Sequence, residues 1–252
     1  MSLSARDVVK RYETAAGTVH ALAGVSIDIA AGECVALVGE SGSGKTTLLR
    51  CFNRLIDPDG GTVQVDGEDV RQSDAVLLRR RIGYVLQEGG LMPHWTVRRN
   101  VELVPWLTVM PNVDSAATDA MTLVGFADRA FDSRYPRQLS GGQRQRVALA
   151  RELAAQPTVL LLDEPFGALD AITRAELQTM FAGIRRRRPV TSVLVTHDLI
   201  EAGRLADRIA VMRAGRIEQI GTPRAIAASP ATDYVARLVE KAGVTRPALP
   251  ST

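Results

Sequence analysis

The apolar run Cys34 to Val38 opens directly onto Gly39-Glu40-Ser41-Gly42-Ser43-Gly44-Lys45-Thr46, and a helix-like stretch from Thr47 to Phe52 follows. A covered strand, a glycine-rich loop and a helix in that order restrict the chain to few folds, because this loop pattern works only in that context. Glycines let the backbone wrap phosphate oxygens, so that amide N–H groups and a helix N-terminus face negative charge. Lys45 would reach the β- and γ-phosphates of a nucleoside triphosphate, and the Thr46 hydroxyl would ligate Mg2+. The candidate ATP-binding residues are therefore Gly39, Ser41, Gly42, Ser43, Gly44, Lys45, Thr46 and Thr47. The plain alternative is an ordinary glycine-rich turn. Against it, the chain has 31 basic residues of which only Lys10, Lys45 and Lys241 are lysines. Keeping a compact ammonium at 45, where arginine is the habit elsewhere, suggests that the shape of the cation matters there.

The surrounding pattern is one of alternating strands and helices. Val25, Ile27 and Ile29 alternate with Ser26 and Asp28, the period of a half-buried strand, and Val63 and Val65 repeat it between turns. Four other segments are nearly continuous in apolar residues, as parallel strands covered on both faces are: 34–38, 82–86, 159–162 and 192–196. Residues 89–156 lack such strands and read as helical, punctuated by Pro93, Pro105, Pro111 and Pro136. The expected organisation is a core with an antiparallel β subdomain over 1–88 and 157–222, an inserted helical subdomain over 89–156, and a short helical tail over 223–252. The arginine runs 79–81 and 185–188 read as helix ends, where cations complement the helix dipole.

Several function classes are excluded or left without support. At 46% hydrophobic and 23% charged, the chain is not globally disordered. No apolar run approaches the roughly 18 residues that span a bilayer, and the start lacks the features of a secretory signal. Cys34 and Cys51 form neither a metal spacing nor a disulfide framework. A net charge of +3 is compatible with nucleic acid, with an anionic membrane face, or with neither.

Other polar residues fall at strand ends, where α/β sheets gather their ligands. Asp163 and Glu164 close the run 159–162, and Pro165 stops it. Asp163 would hold Mg2+ through water and Glu164 would polarise an attacking water; a solvated acidic strand end is the plainer reading. Gln87 follows the strand 82–86 and would contact metal or water. His197 follows 192–196 and would contact the γ-phosphate and position the water with Glu164. Leu139-Ser140-Gly141-Gly142-Gln143 precedes a helical run, and Ser140 with Gln143 makes a capping box. A cap alone does not require two glycines in a first turn, each costing about 1 kcal/mol relative to alanine. Close approach of the backbone to an anion would require them, which makes Ser140, Gly141, Gly142 and Gln143 a second candidate ATP contact.

The ordered set GESGSGKTT, a glutamine after a strand, LSGGQ, VLLLDEP, GALD and a histidine after the last core strand resembles the ABC ATPase family over roughly residues 3 to 222. The resemblance implies an α/β P-loop NTPase (RecA-like) core with a parallel sheet, an N-terminal antiparallel β subdomain and an inserted α-helical subdomain. It implies a head-to-tail dimer of this chain, or of this chain with a homologous cassette, in which LSGGQ of one chain closes over ATP on the phosphate loop of the other. By the same resemblance Ala168, Leu169 and Asp170 lie at the dimer interface and Tyr12 stacks on adenine. Tyr12 read by itself is equally a half-buried strand residue.

A single cassette, no room for a long coiled coil and no fused transmembrane segment favour an importer subunit at the cytoplasmic face of the membrane. Its partners would be transmembrane permease subunits and, indirectly, a solute-binding protein, with no nucleic acid expected. Leu91, Met92, Pro93, His94 and Trp95 resemble the importer segment that receives a permease; alternatively Leu91, Trp95 and Val97 fill the core of the lobe. Phrases such as Tyr84-Val85-Leu86-Gln87, Arg134-Tyr135-Pro136 and Phe166 to Arg174 are similar to the quaternary-amine importers, which handle glycine betaine, choline and carnitine. Many of those carry paired regulatory CBS domains after the cassette, for which this chain has no room. An amino-acid importer, or a non-transport ABC ATPase acting as a regulatory or nucleic-acid-associated switch, is the alternative.

Overall fold

A computed structural model describes residues 2–15, 17–87 and 89–243. Residues 1, 16 and 88 of the expected core and 244–252 of the expected tail lie outside the described residues. The chain opens with β1 (Leu3–Thr14), β2 (Gly17–Ile29), β3 (Cys34–Val38), α1 (Lys45–Phe52), β4 (Gly60–Val65) and β5 (Glu68–Asp69). Next come α2 (Ala75–Arg81), β6 (Ile82–Val85), α3 (Val97–Leu107), α4 (Val113–Leu123), two 3-10 turns and α5 (Gly141–Ala154). The remainder is β7 (Val159–Asp163), α6 (Ala171–Arg187), β8 (Thr191–Thr196), α7 (Leu199–Leu205), β9 (Arg208–Arg213), β10 (Arg216–Gly221), α8 (Pro223–Ala228) and α9 (Asp233–Lys241). Among the described residues no helix is long and apolar enough to cross a membrane.

Two compact units emerge: the residues up to Gln72 together with those from Val193 onward, and the residues Ser73–Ser192. The second unit takes in α2, β6, β7 and α6 together with α3, α4 and α5. In the first unit, β2-β1-β4-β5 form an antiparallel sheet, with β1 and β2 paired from Leu3↔Ile29 to Thr14↔Gly17. The alternation foretold by the sequence holds, since Val25, Ile27 and Ile29 are buried and Ser26 and Asp28 exposed. All five residues of β3 are buried, and the strand runs parallel to β9, with Val38 opposite Val211. β10, which the sequence does not announce, pairs antiparallel with β9 across the turn at Ala214-Gly215. Its pattern, RIEQIG, has no clean alternation and its residues are exposed or half-buried. α9 turns Tyr234, Val235 and Val239 inward.

In the second unit β6 runs parallel to β7, from Ile82↔Val159 to Val85↔Leu162. α3, α4 and α5 pack on one another, and α5 is buried almost throughout from Val147 to Ala154. The arginine runs end helices as expected: Arg79, Arg80 and Arg81 in the last turn of α2, and Arg185, Arg186 and Arg187 in that of α6. β8 crosses the boundary after Ser192, with every residue buried.

Candidate functional site

In the first unit the site begins where β3 ends. A Cβ on Gly39 would sit 2.2 Å from the Met212 carbonyl oxygen of β9, so only glycine allows the chain to leave the strand here. The loop turns through a Ser43 N–H to Glu40 C=O bond of 3.2 Å, and Gly42 and Gly44 take φ values of 79° and 101°. Those angles belong to glycine. Gly42 is exposed, and apart from its chain neighbours nothing lies within 4 Å of its Cβ position. α1 starts at Gly44 with no side-chain cap, the arrangement that leaves a helix terminus to an anion.

Lys45 is only 5% exposed. Its ammonium donates to Gly39 O and Glu40 O, each at 2.8 Å, and to Ser43 Oγ at 3.3 Å. These acceptors are arranged around a point charge with rotatable donors and would not match a planar guanidinium, which accounts for a lysine at this position in an arginine-rich chain. Thr46 and Thr47 are half-buried beside it, and Ser41 is exposed. His197 is exposed just after β8, between a Thr196 hydroxyl that accepts Asp198 N–H and an Asp198 carboxylate that caps α7. It lines one cavity of about 580 Å3 together with Gly39 and Glu40. The structure thus brings His197 and the start of the phosphate loop together. Tyr12 pairs with Val19 on the β1–β2 hairpin, 38% exposed, with Lys10 Nζ 5.6 Å from its ring centre.

The second unit carries the acidic pair. Asp163, 8% exposed, ends β7 and accepts a hydrogen bond from the Tyr84 hydroxyl at 3.1 Å. Glu164 takes φ 46°, a left-handed conformation that costs a non-glycine residue on the order of 1–3 kcal/mol and clusters at functional sites. That reversal redirects the chain immediately after a buried strand. A Cβ on Gly167 would lie 3.5 Å from Glu164 Oε2 and 3.8 Å from Gln87 Nε2, so these two side chains reach the same place. The Thr46 hydroxyl in the first unit and the Asp163 carboxylate in the second are each a hard oxygen donor, the type Mg2+ takes.

Sequence reasoning missed what holds Gln87. Gln145 of α5 donates to Leu86 O at 3.3 Å, and Arg151 donates to Gly90 O at 2.8 Å and Gly89 O at 3.2 Å. Arg151 also pairs with Glu152 at 2.8 Å, and Glu152 accepts the Tyr84 N–H at 3.1 Å. Burial pushes the Glu152 carboxyl up from its ordinary range, and Arg151 opposes that push. No local pattern distinguishes these buried charges from the solvated ones on the same helix.

At the start of α5 both halves of the capping box form, with Gln143 N–H donating to Ser140 Oγ at 3.2 Å and Ser140 N–H to Gln143 Oε1 at 2.9 Å. The two glycines have different surroundings. A Cβ on Gly142 would lie 2.2 Å from Thr173 Cγ2 of α6, so helix packing requires this glycine; Gly141 is exposed, with Leu169 Cδ2 at 3.5 Å. Ala168 is exposed and Leu169 half-buried. Asp170 caps α6 by accepting from Ile172 and Thr173 N–H. In the segment 91–95, Met92, Pro93 and His94 are exposed, Leu91 and Trp95 half-buried, and Val97 alone belongs to the core. Fully buried Asn100 pins that loop, accepting Met92 N–H at 2.7 Å and donating to Met92, Trp95 and Thr96 carbonyls. Trp95, stacked under Arg99, lines a groove of about 390 Å3 with Leu103 and Trp106.

A family model described as ABC transporter matches residues 22–167. The glycine betaine/carnitine/choline transport ATP-binding protein of Bacillus subtilis is 45% identical over 95% of this chain and 62% of its own length. The glycine betaine uptake system ATP-binding protein of Escherichia coli is 44% identical over 87% of this chain and 71% of its own. A sulfate/thiosulfate import ATP-binding protein of Bacillus cereus reaches 46% over 93% and 65%. The chain spans only about three fifths of the first curated relatives it matches, 58–62% of their lengths. Among solved structures, a dimeric ATP-binding cassette in a post-hydrolysis state with ADP and Pi superposes with a TM-score of 0.79, at 31% identity over 88% of this chain and 98% of that one. The expected fold class is the observed one.

Proposed function

From the premise that the chain belongs to the ABC transporter family, which its match over 22–167 and its relatives at 44–46% identity establish, we propose that it binds and hydrolyses ATP to drive import through separate membrane subunits. One observation carries the reading: a nearly buried Lys45 ammonium enclosed by the carbonyls of a glycine loop, at the start of a helix that no side chain caps. Loop N–H groups around Ser41, Gly42, Ser43 and Gly44 receive phosphate oxygens, Lys45 neutralises the β- and γ-phosphates, and Thr47 contacts the nucleotide from the first turn of α1. Thr46 and Asp163 hold Mg2+, which supplies charge neutralisation at the phosphates. Glu164 accepts a proton from the attacking water as its oxygen bonds to the γ-phosphorus and the bond to ADP breaks. Gln87 and His197 orient that water, and Tyr12 stacks on adenine.

Ser140, Gly141, Gly142 and Gln143 contact the nucleotide of a second copy or a homologous cassette, with Ala168, Leu169 and Asp170 at that interface. Leu91, Met92, Pro93, His94 and Trp95 face a permease at the cytoplasmic side of a membrane, and a solute-binding protein delivers cargo to it. The helical lobe is residues 89–156. Relatives named for glycine betaine, choline and carnitine support quaternary ammonium osmoprotectants as cargo.

The test is nucleotide binding and turnover in two variants. Lys45→Ala is expected to weaken ATP binding at least tenfold, and Glu164→Gln to keep binding while slowing hydrolysis by a hundredfold or more, within the range of general-base loss. Normal affinity in the first or normal turnover in the second refutes the corresponding assignment.

A further inference from the structure

The last helix of the described chain reaches the phosphate loop through a hydrogen bond. Tyr234, the second residue of α9, is 4% exposed. Its hydroxyl oxygen accepts the Glu40 N–H at 3.2 Å, across 194 residues of sequence. That N–H belongs to the peptide group whose carbonyl, Gly39 C=O, accepts Lys45 Nζ at 2.8 Å. One peptide plane is therefore gripped at both ends, and each bond polarises the group to strengthen the other. The phenol ring is fixed in turn by the Arg213 guanidinium, 4.9 Å from its centre. Between α9 and the loop lies the cavity of about 580 Å3 that His197 also lines. α9 is thus not packed continuously against the loop. Tyr234 is its anchor, and phenylalanine would fill the same space without supplying the acceptor.

We propose that Tyr234 is a positioning residue for nucleotide binding: it fixes the Gly39–Glu40 peptide and the resting place of the Lys45 ammonium, so that docking of α9 sets nucleotide affinity. The inference rests on the reading of residues 39–46 as the nucleotide loop. Tyr234 acts through that peptide group and the Lys45 ammonium. Without its hydroxyl the first peptide of the loop can rotate, and the Lys45 ammonium loses an acceptor of fixed direction before phosphate arrives.

The experiment compares the full chain with Tyr234→Phe, Tyr234→Leu and Lys45→Ala, using titration with a fluorescent ATP analogue, steady-state ATPase kinetics and thermal unfolding. Tyr234→Phe is expected to raise both the Kd for nucleotide and the KM for ATP roughly threefold to tenfold, the size of one net hydrogen bond. Its kcat should stay within about twofold and its Tm within about 4 °C. Native affinity in Tyr234→Phe, with Tyr234→Leu merely less stable, would reduce the contact to packing and overturn the inference. A fall in kcat at unchanged KM would overturn it equally. Native affinity in Lys45→Ala would instead sink the loop assignment beneath it.

Discussion

α1 and α5 both begin with glycine-rich sequence, and the two N-termini are built on opposite plans. α1 enters through Gly44 in a left-handed conformation, with no side chain capping it. α5 enters through Ser140 and closes its own first turn with a complete capping box. Forgoing a side-chain cap in favour of glycine costs a helix about a few tenths of a kcal/mol and leaves its first N–H groups without a side-chain acceptor, a deficit an anion at the terminus can offset. The start of α5 has no such deficit, and an anion there meets a turn whose Gln143 N–H is already engaged. The glycines differ too. Gly44 serves the backbone, since its φ of 101° and the Ala21 carbonyl 2.3 Å from its Cβ position both demand it. Gly142 serves a neighbouring side chain, the Thr173 methyl. Similar sequence at two helix starts therefore records two different physical needs.

The largest effect is expected where backbone meets backbone. Gly44→Ala places a side chain in a left-handed conformation, costing about 1–2 kcal/mol, and drives it into a carbonyl that cannot move without shifting β2. A total loss of about 3 kcal/mol is expected in urea unfolding, with nucleotide binding abolished. A variant as stable as the native chain would erase the distinction between the two termini. Gly142→Ala should cost less, about 1–2 kcal/mol, and should be repairable. Thr173→Ser removes the clashing methyl while keeping the hydroxyl beside Asp170. In that background Gly142→Ala should stabilise α5 by up to about 1 kcal/mol, because alanine is the better helix former. Failure of the rescue, alongside normal folding of Thr173→Ser, would mean that something other than helix packing requires the glycine.

That contrast also marks how far the sequence could be read. Local patterns carried the strands: the alternation at Val25, Ile27 and Ile29 and the apolar run Cys34–Val38 report burial residue by residue. The glycine-rich loop and the Asp163/Glu164 pair stand out in the sequence as short motifs at strand ends, and the Ser140 cap, a local motif, forms as its residues predict. What stayed hidden depends on contacts between distant residues. Nothing near Tyr234 announces a partner at Glu40, and nothing near Gly142 names Thr173 as the reason for a second glycine. Nothing local marks Arg151 and Glu152 as buried, yet they pair with each other and Arg151 holds Gly89 and Gly90 after Gln87. β10 was missed because an exposed edge strand such as RIEQIG need not alternate cleanly.

The smallest expected effect separates a titrating cap from a neutral one. Asp170 starts α6 as Ser140 starts α5, yet Asp170 carries a charge. The Thr173 hydroxyl and then its backbone N–H hold the Asp170 carboxyl below the ordinary value of 3.8. A depressed acid stabilises the fold above its unfolded pKa, and that contribution is lost as pH falls through the folded value. Followed by NMR in the folded protein, the Ile172 and Thr173 amide shifts should move together with a midpoint below 3.8. The Gln143 amide, bonded to a hydroxyl that does not titrate, should not follow that midpoint. A midpoint at or above 3.8 for Ile172 and Thr173 would mean that Asp170 spends little time on the α6 terminus. The segment Ala168–Asp170 would then be available to a partner chain without first giving up its cap.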